Sequence, residues 1–291
     1  MRDQSLQGKI CLVTGSTAGM GKVTARELAS RGATVVLVSR NRAKGEATQT
    51  EIKQATGNEH VDLLVADLSL LQEVRRLAEA FQQKYDHLHL LINNAGGTYR
   101  SRTVTSEGLE ATLAFNYLTP FLLTELLLGV LKASAPARII NVSSMAHSRT
   151  MAFDNLQGEK RYTAMGNYGQ AKLALIIFTY ELARRLEGTG VTVNVLHPGL
   201  VASNPVGLTG VMAWVVKLLR PFMITVEQGA QNELYLATSP ELEGVSGKYF
   251  VEQQEKRSAR SSYDQELAQH LWRVSEQLVA RAVSDTDFHD S

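Results

Sequence analysis

The chain has 291 residues, of which 44% are hydrophobic and 20% charged, so it is large and apolar enough to bury a substantial core. Its 30 Lys and Arg residues nearly balance 29 Asp and Glu residues, which excludes a strongly basic surface of the kind that binds nucleic acid. The single cysteine, Cys11, excludes an internal disulfide, and the apolar run around it predicts a core residue.

Short β-branched runs alternate along the chain with longer segments of helical periodicity. Several runs are apolar almost throughout, as expected for strands covered on both faces. Strict alternation predicts an α/β fold, a doubly wound, Rossmann-type parallel sheet of about seven strands with helices on both faces. The predicted strands are Lys9–Thr14, Thr34–Ser39, Val61–Ala66, Leu88–Asn93, Arg138–Val142, Thr192–Leu196 and Lys248–Val251, and the predicted helices are Gly21–Arg31, Ala43–Ala55, Leu70–Lys84, Glu107–Lys132, Thr163–Glu187 and Val226–Ala237.

Local signals support these boundaries. Ser69 and Gln72 have the spacing of a capping box at the start of the third helix, and Gly32 follows the point where the first should stop. No linker or repeat divides the chain, which predicts one domain over residues 1–291. The N-terminus shows no secretory signal, and no apolar stretch approaches the roughly 20 residues that span a bilayer. We therefore expect a soluble, cytoplasmic protein without a transmembrane segment.

Three segments add to the alternating pattern. Residues 145–167 form a polar insertion on the substrate side of the predicted sheet, and residues 264–282 form an amphipathic C-terminal helix. Residues 203–225 are apolar and follow a strand end, where such sheets bind ligands. The sequence favours a lid over a lipophilic substrate for this last segment, and the alternatives are a surface for a partner or second subunit and a helix lying at a membrane interface.

A glycine-rich turn joins the first strand to the first helix. Glycines there permit a tight turn and let the backbone approach a pyrophosphate at the helix N-terminus. A P-loop is excluded, because Val23 stands where the Mg²⁺-binding Ser or Thr would be. The candidate cofactor-binding residues of the turn are Gly15, Ser16, Thr17, Gly19, Met20 and Gly21.

The end of the second strand bears on cofactor choice. A carboxylate there would bind the adenosine ribose and repel a 2′-phosphate, but this chain has Ser39, Arg40 and Asn41. A guanidinium suits a phosphate, so the sequence favours NADP(H) over NAD(H), unless Arg40 merely begins a solvated loop. Asp67, with Leu68, either contacts adenine or is a loop acid. The small residues Asn94, Ala95 and Gly96 would let the backbone pass beneath the cofactor.

Tyr168 and Lys172 lie four residues apart in the fifth predicted helix, so their side chains share a helix face. A phenol with a pKa near ~10 is a poor acid–base group at neutral pH. A neighbouring ammonium would lower that pKa, which favours a catalytic tyrosine. By itself, such a pair is usually only two surface neighbours. Further polar residues therefore matter for the catalytic interpretation, namely Asn116 in the long helix and Ser143 and Ser144 at a strand end. Chemistry alone does not distinguish the two serines.

Taken together, these motifs resemble those of the short-chain dehydrogenase/reductase family, over nearly the full length from Gly8 to Val251. The resemblance implies that Tyr168 exchanges a proton with the substrate oxygen and that Ser144, the second serine, hydrogen-bonds that oxygen. It also implies that Lys172 binds the nicotinamide ribose and that Asn116 holds a relay water. The matching residues are Thr14-Gly-x-x-x-Gly-x-Gly21, Asp67-Leu68, Asn93-Asn-Ala-Gly96, Asn116, Ser144, Tyr168-x-x-x-Lys172 and His197-Pro198-Gly199, and the implied nicotinamide contacts are Pro198, Gly199, Val201 and Ser203.

The long Ser144–Tyr168 spacing and the run Arg138–His147 are similar to the retinol dehydrogenase-like branch. The expected substrate is a hydrophobic alcohol or carbonyl compound, such as a retinoid, a steroid or a long-chain aldehyde. Basic residues in the insertion, among them Arg149 and Lys160, leave an anionic substrate open, and peripheral membrane contact and a homo-oligomer also stay open. The alternative function is a non-catalytic NADP(H) sensor, which would not need Tyr168. The histidines lack metal-ligand spacing, so no metal is expected.

Overall fold

The structure is a computed structural model and describes residues 5–201 and 224–284. In these ranges the strands are β1 (Ile10–Thr14), β2 (Thr34–Ser39), β3 (Val61–Val65), β4 (Leu90–Asn93), β5 (Ala137–Val142), β6 (Val191–His197), β7 (Tyr249–Val251) and β8 (Gln254–Lys256). They form one sheet in the order β3-β2-β1-β4-β5-β6-β7-β8. The order reverses between β1 and β4, so a ligand crevice is expected at the carboxyl ends of these strands.

Helices cover both faces of the sheet. Apolar residues of β1 alternate between two cores: Leu12 packs on the face covered by α3, α5, α6 and α8, whereas Cys11 and Val13 pack on the face covered by α1, α2 and α7. This double burial explains the continuous apolar strands. The helices are α1 (Gly19–Ser30), α2 (Arg42–Thr56), α3 (Leu71–Lys84), α4 (Ala111–Leu113), α5 (Thr119–Ala133), α6 (Ala164–Arg185), α7 (Val226–Thr238) and α8 (Gln265–Ser284).

The prediction of a parallel sheet of about seven strands needs one correction. Strands β1 to β7 pair in parallel, but β8 adds an eighth, antiparallel strand at the edge. Its residues Gln254–Lys256 are all exposed and polar, so they carry no hydrophobic periodicity. A tight turn at Glu252 and Gln253, with φ of 50° and 62°, joins it to β7.

The capping box predicted at Ser69 and Gln72 is wrong. Helix α3 begins at Leu71, and the Ser69 hydroxyl instead donates to the carboxylate of Asp67. The first two amides of α3 donate to the carboxylate of Glu107, at 2.7 and 2.8 Å. A carboxylate at a helix N-terminus satisfies unpaired donors and complements the helix dipole. The cap therefore comes from a residue remote in sequence.

The long helix predicted over Glu107–Lys132 begins later and is interrupted. Glu110 caps it by accepting hydrogen bonds from the first amides of α4, and a π-helical turn, Ala114–Leu118, separates α4 from α5. The whole segment Ala111–Ala133 is long and apolar enough to cross a membrane by composition, but 67% of its apolar window is buried inside the fold. Such burial is typical of a core helix.

The remaining boundaries follow the predictions closely. Helix α1 ends at Ser30, and Gly32 adopts φ of +86°, as the stop signal predicted. Helix α8 occupies the predicted C-terminal helix, and Cys11 is buried, with its thiol pKa raised to about 12 by burial. The insertion at 145–167 connects β5 to α6. Most of segment 203–225, predicted as a lid, lies outside the described residues.

Candidate active site

The turn after β1 has the geometry of an anion cradle. Gly15 adopts φ of +66°, and a Cβ on Gly21 would lie 2.3 Å from Asn94 Nδ2, so that position requires glycine. Asn94 Nδ2 donates to Thr14 O at 2.8 Å and ties the turn to the loop after β4. Ala18, at the N-cap of α1, carries no hydrogen-bonding side chain, so the first amides of α1 keep their donors for an anion.

Other residues of the turn have structural contacts. The Ser16 hydroxyl is buried and bonded to the backbone of Val38 in β2, so its side chain fixes the turn. Met20 lies beside α7, where a Cβ on Gly229 would come within 2.6 Å of the Met20 sulfur. The predicted turn residues thus lie together, and Gly229 is a contact that the sequence motif did not reveal.

At the end of β2, Arg40 projects its guanidinium into solvent. Ser39 bonds the backbone of Asn41, and the Asn41 side chain caps α2 by accepting from Lys44 N. The Arg40 side chain is 74% exposed, and one guanidinium nitrogen lies 3.8 Å from an oxygen of Asp67. An exposed pair at this distance is weak, so Arg40 can readily exchange it for another anion.

Asp67 has the geometry of the loop acid rather than of a free side chain. One carboxylate oxygen accepts from both the amide and the hydroxyl of Ser69, and the other faces Arg40. Leu68 is buried, and its carbonyl accepts from the Thr119 hydroxyl. Both residues thus brace the loop after β3, and their backbone borders the crevice at the strand ends.

The loop after β4 approaches the catalytic candidates closely. The Ala95 amide donates to the Thr14 hydroxyl at 3.0 Å. A Cβ on Gly96 would lie 2.8 Å from Asn116 Oδ1 and 3.1 Å from Lys172 Nζ, so a larger residue would displace one of them. The predicted small residues therefore bring the backbone against Asn116 and Lys172.

Asn116 lies in the π-helical turn and is fully buried. Its Nδ2 donates to Gly97 O at 2.7 Å and to Thr112 O at 2.8 Å, while its Oδ1 accepts from Gly97 N at 3.1 Å. Both N–H donors are thus used, and one lone pair of Oδ1 stays available. The side chain clamps the loop after β4, which the expectation of a water-holding residue did not include.

Tyr168 and Ser144 meet across the ends of β5 and α6. The Ser144 hydroxyl accepts from Ala146 N, and it lies close enough to the Tyr168 phenol to act on the pKa of that group. The Ser143 hydroxyl instead donates to the backbone carbonyl of Lys172 at 3.0 Å and is buried. The structure thus distinguishes the two serines: Ser144 faces the phenol, and Ser143 anchors α6.

Lys172 lies beneath the phenol, with Nζ 5.7 Å from the centroid of the Tyr168 ring. Its Nζ donates to Val142 O at 2.8 Å, and the residue is only 2% exposed. Burial lowers the pKa of this ammonium to about 7. Near neutral pH, the cofactor-free protein therefore holds Lys172 partly uncharged.

The pKa of Tyr168 departs from expectation. Burial raises it above the usual value, and the hydrogen bond from Ser144 acts in the opposite direction. The prediction that Lys172 brings it below the ordinary value is wrong for this structure, because desolvation of both groups is the larger effect. In the absence of cofactor, Tyr168 is a protonated phenol at neutral pH.

The loop after β6 forms the other side of the site. Gly199 adopts φ of +95°, its amide donates to His197 Nδ1, and Val201 pairs with Ile224 in an isolated bridge. Asn232 of α7 donates to Pro198 O at 3.3 Å, a contact with no local sequence signal. Ser203, the last predicted cofactor contact, lies outside the described residues.

No cluster of metal-ligating side chains occurs in the part of the chain that the structure describes. His87 and His89 stack with their ring centroids 6.2 Å apart, and His89 Nδ1 accepts from Ile10 N. These contacts are structural.

Comparison with known proteins decides the family. The family model described as short chain dehydrogenase matches residues 9–209. The chain belongs to the short-chain dehydrogenase family. It is therefore an oxidoreductase that interconverts alcohols and carbonyl compounds with a nicotinamide cofactor, and the glycine turn, open helix N-terminus and Gly96 approach fit such a cofactor.

Individual relatives refine this placement. Human retinol dehydrogenase 12 is 44% identical over 275 residues, covering 94% of this chain and 87% of that protein. A Mycobacterium Paratuberculosis protein of known structure is 30% identical with a TM-score of 0.75, covering 94% of each chain. The NADP complex of Pseudomonas aeruginosa RhlG is 27% identical with a TM-score of 0.66, covering 86% of this chain and 97% of that one. The chain is thus a retinol dehydrogenase-like member of the short-chain dehydrogenase family.

Proposed function

We propose that this short-chain dehydrogenase is an NADP(H)-dependent oxidoreductase of hydrophobic alcohols and carbonyl compounds, with Tyr168 as general acid and base. One observation carries the proposal. The Ser144 hydroxyl lies beside the Tyr168 phenol and acts to lower its pKa, and Lys172 Nζ lies 5.7 Å from the centre of the phenol ring. Two hydroxyls that meet in this way can both bond one substrate oxygen.

In the direction of reduction, Tyr168 gives its proton to the carbonyl oxygen. Burial raises the pKa of Tyr168, so the phenol carries its proton at neutral pH and has one to give. Ser144 donates a hydrogen bond to the same oxygen and stabilises the charge that develops there. In oxidation, Tyr168 takes the proton back.

Lys172 and Asn116 support Tyr168 from below. Val142 O takes one of the three Lys172 donors, which leaves two for a ribose hydroxyl and a relay water. Asn116 fixes the loop at Gly97 and so keeps Gly96 within reach of Lys172. A proton lost from Tyr168 could then be replaced through Lys172 and a water that Asn116 Oδ1 holds as acceptor.

The cofactor would lie across the carboxyl ends of β1 and β4. The first turn of α1 would hold its pyrophosphate, the loop after β4 would lie against its ribose, and Pro198, Gly199 and Val201 would contact the nicotinamide. The chemistry that a bound nicotinamide supplies is hydride transfer to or from the carbonyl carbon.

Preference for NADP(H) rests on Arg40. Its exposed guanidinium has only a weak partner in Asp67, so a 2′-phosphate can replace that partner with a stronger contact. The RhlG relative, whose structure contains NADP, is consistent with this preference. One charge-assisted contact contributes about 1.5–3 kcal/mol, or roughly one to two decades in affinity.

A hydrophobic substrate is supported by the surface next to the catalytic candidates. Met145, Met165 and Leu200 are exposed by 59%, 60% and 42%, and each lies within three residues of Ser144, Tyr168 or Gly199 in sequence. Lys160, considered as a ligand for an anion, is already paired with Asp154 at 2.6 Å. The name of the human relative, retinol dehydrogenase 12, points to the same substrate class.

The test follows NADPH oxidation by absorbance with apolar aldehydes and ketones, including retinal, beside NADH. We expect turnover with NADPH, a loss of roughly 10²–10⁴-fold in Tyr168→Phe, and a loss of about 10²–10³-fold in Ser144→Ala. Tyr180→Phe, on the same helix, and Ser143→Ala, one residue away, are matched controls that should retain most activity. Equal rates for Tyr168→Phe and Tyr180→Phe would refute the catalytic assignment.

Cofactor preference needs its own pair of variants. Arg40→Ala should weaken NADPH binding by roughly one to two decades and leave NADH binding unchanged. Arg42, two residues on, is 71% exposed and provides the comparison Arg42→Ala. If only Arg42→Ala weakened NADPH binding, or if NADH gave the faster turnover in the native protein, the assignment of Arg40 would be wrong.

A further inference from the structure

The C-terminal helix α8 contacts the π-helical turn that carries Asn116. Tyr117, the next residue, hydrogen-bonds Ser275 of α8, with 2.6 Å between the phenol and hydroxyl oxygens. Ser275 Oγ donates its own hydrogen to Leu271 O at 2.7 Å, so Tyr117 must be the donor to Ser275. Tyr117 is 1% exposed and Ser275 is 0% exposed, so solvent does not compete for either group.

The same helix also packs against α6. Trp272 of α8 lies edge-on to Phe121, with ring centroids 5.1 Å apart, and contacts Phe178 of α6 at 5.6 Å. The guanidinium of Arg185 lies 3.6 Å from the Trp272 ring centroid. Helix α8 thus touches the π-helical turn that carries Asn116 and the helix α6 that carries Tyr168 and Lys172.

Because Tyr117 lies in the π-helical turn, its hydrogen bond with Ser275 bears on the position of Asn116. A π turn holds one residue more than an α-helical turn and is rare without tertiary support. If it relaxed to α-helix, the side chains before it would rotate by roughly 100° relative to those after it. Asn116 would then leave its hydrogen bonds with Gly97 and Thr112.

We propose that Ser275 is a positioning residue, which holds Tyr117 and through it keeps the π-helical turn and Asn116 in place. The expected change in kcat rests on the proposed function, in which Asn116 and Lys172 serve the proton path. The expected change in hydrogen exchange at Gly97 does not rest on it. The Gly97 amide, which donates to Asn116 Oδ1, reports the structural consequence directly.

The test uses the full chain with Ser275→Ala, which leaves the buried Tyr117 phenol without an acceptor. We expect amide hydrogen exchange at Gly97 to become roughly tenfold faster, because an unsatisfied buried donor shifts equilibria by about one decade or more. We also expect kcat to fall by a similar factor, because Asn116 would no longer be held in the proton path.

Further variants separate positioning from general loosening. Tyr117→Phe removes the same hydrogen bond from its other end, so it should also speed exchange at Gly97, and combining it with Ser275→Ala should add little to the effect of Ser275→Ala alone. Leu278→Ala loosens the packing of α8 at a position that does not bond Tyr117, so it should lower the unfolding midpoint without faster exchange at Gly97.

Each outcome decides the inference. Fast exchange at Gly97 in Ser275→Ala and in Tyr117→Phe, with little further increase in the double variant, supports it even if the native protein shows no turnover and the proposed function fails. Exchange that is unchanged in Ser275→Ala, or equally fast in Leu278→Ala, overturns it, whatever the activity of the native protein.

Discussion

The buried carboxyl group of Glu233 should make stability fall as pH rises. Glu233 lies in α7 with 0% exposure, and one oxygen accepts from the Thr24 hydroxyl of α1 at 2.7 Å. Its other oxygen has no hydrogen-bond partner among the described residues. Burial raises the pKa of this carboxyl from 4.5 to about 7, since Thr24 alone offsets little of the desolvation.

The sign follows from the protons bound in each state. Between pH 4.5 and about pH 7, the unfolded chain has lost the Glu233 proton while the folded chain still holds it. The unfolded state therefore gains stability as pH rises through this window, and the free energy of unfolding falls. At about 1.4 kcal/mol per pKa unit, the full loss is about 3 kcal/mol, of which about 2.5 kcal/mol occurs from pH 5 to pH 8.

Urea unfolding of the native protein and Glu233→Gln at several pH values tests this. The amide does not titrate, so the stability of the variant relative to the native protein should rise by about 2.5 kcal/mol from pH 5 to pH 8. Subtracting the two curves cancels every other titration. A flat difference for Glu233→Gln would refute the reasoning.

Three further predictions concern the site and its supports. Glu107→Ala removes both acceptors at the start of α3 and should lower the free energy of unfolding by about 2 kcal/mol in urea; a loss below about 0.5 kcal/mol would contradict the cap. Burial lowers the pKa of Lys172 from 10.5 to about 7, so above pH 7 the unfolded chain binds this proton and the folded chain does not. The free energy of unfolding should therefore rise by up to about 1.4 kcal/mol per pH unit. Lys172→Met should abolish that slope in urea titrations from pH 7 to pH 9. Gly96→Ala should weaken NADPH binding, followed by fluorescence, in a folded protein, because its Cβ would displace Asn116 or Lys172; unchanged affinity would exclude the close approach.

Most strands and the cofactor turn could be predicted because their signals are local. A strand such as Ile10–Thr14 is buried on both faces of the sheet, so nearly all of its residues must be apolar, and this is visible in the sequence. Gly15 and Gly21 are visible for a similar reason. Gly15 has a positive φ, and a Cβ on Gly21 would clash with the Asn94 side chain, so glycine is the residue that fits at both positions. The spacing of Tyr168 and Lys172 fixes their shared helix face without any tertiary information.

The failures share a different cause, which is contact between residues remote in sequence. The capping box at Ser69 had the right residue types, but Glu107, 36 residues away, takes the amides of α3. The π-helical turn at Asn116 lies in an apolar segment with no distinguishing pattern. Its residue Tyr117 contacts Ser275, which is 158 residues further along the chain.

By itself, the sequence determined the order of strands and helices, the glycine turn and the membership of Asn116, Ser144, Tyr168 and Lys172 in one candidate set. Periodicity, φ requirements and motif order are properties of neighbouring residues, so they can be read along the chain. Only the tertiary structure decided that Ser144 rather than Ser143 faces Tyr168, that Asn116 clamps Gly97, and that Lys172 is partly uncharged. These contacts and the Lys172 pKa depend on burial and on partners from distant segments. The reason is that the desolvation of a side chain is set by all the residues that pack around it.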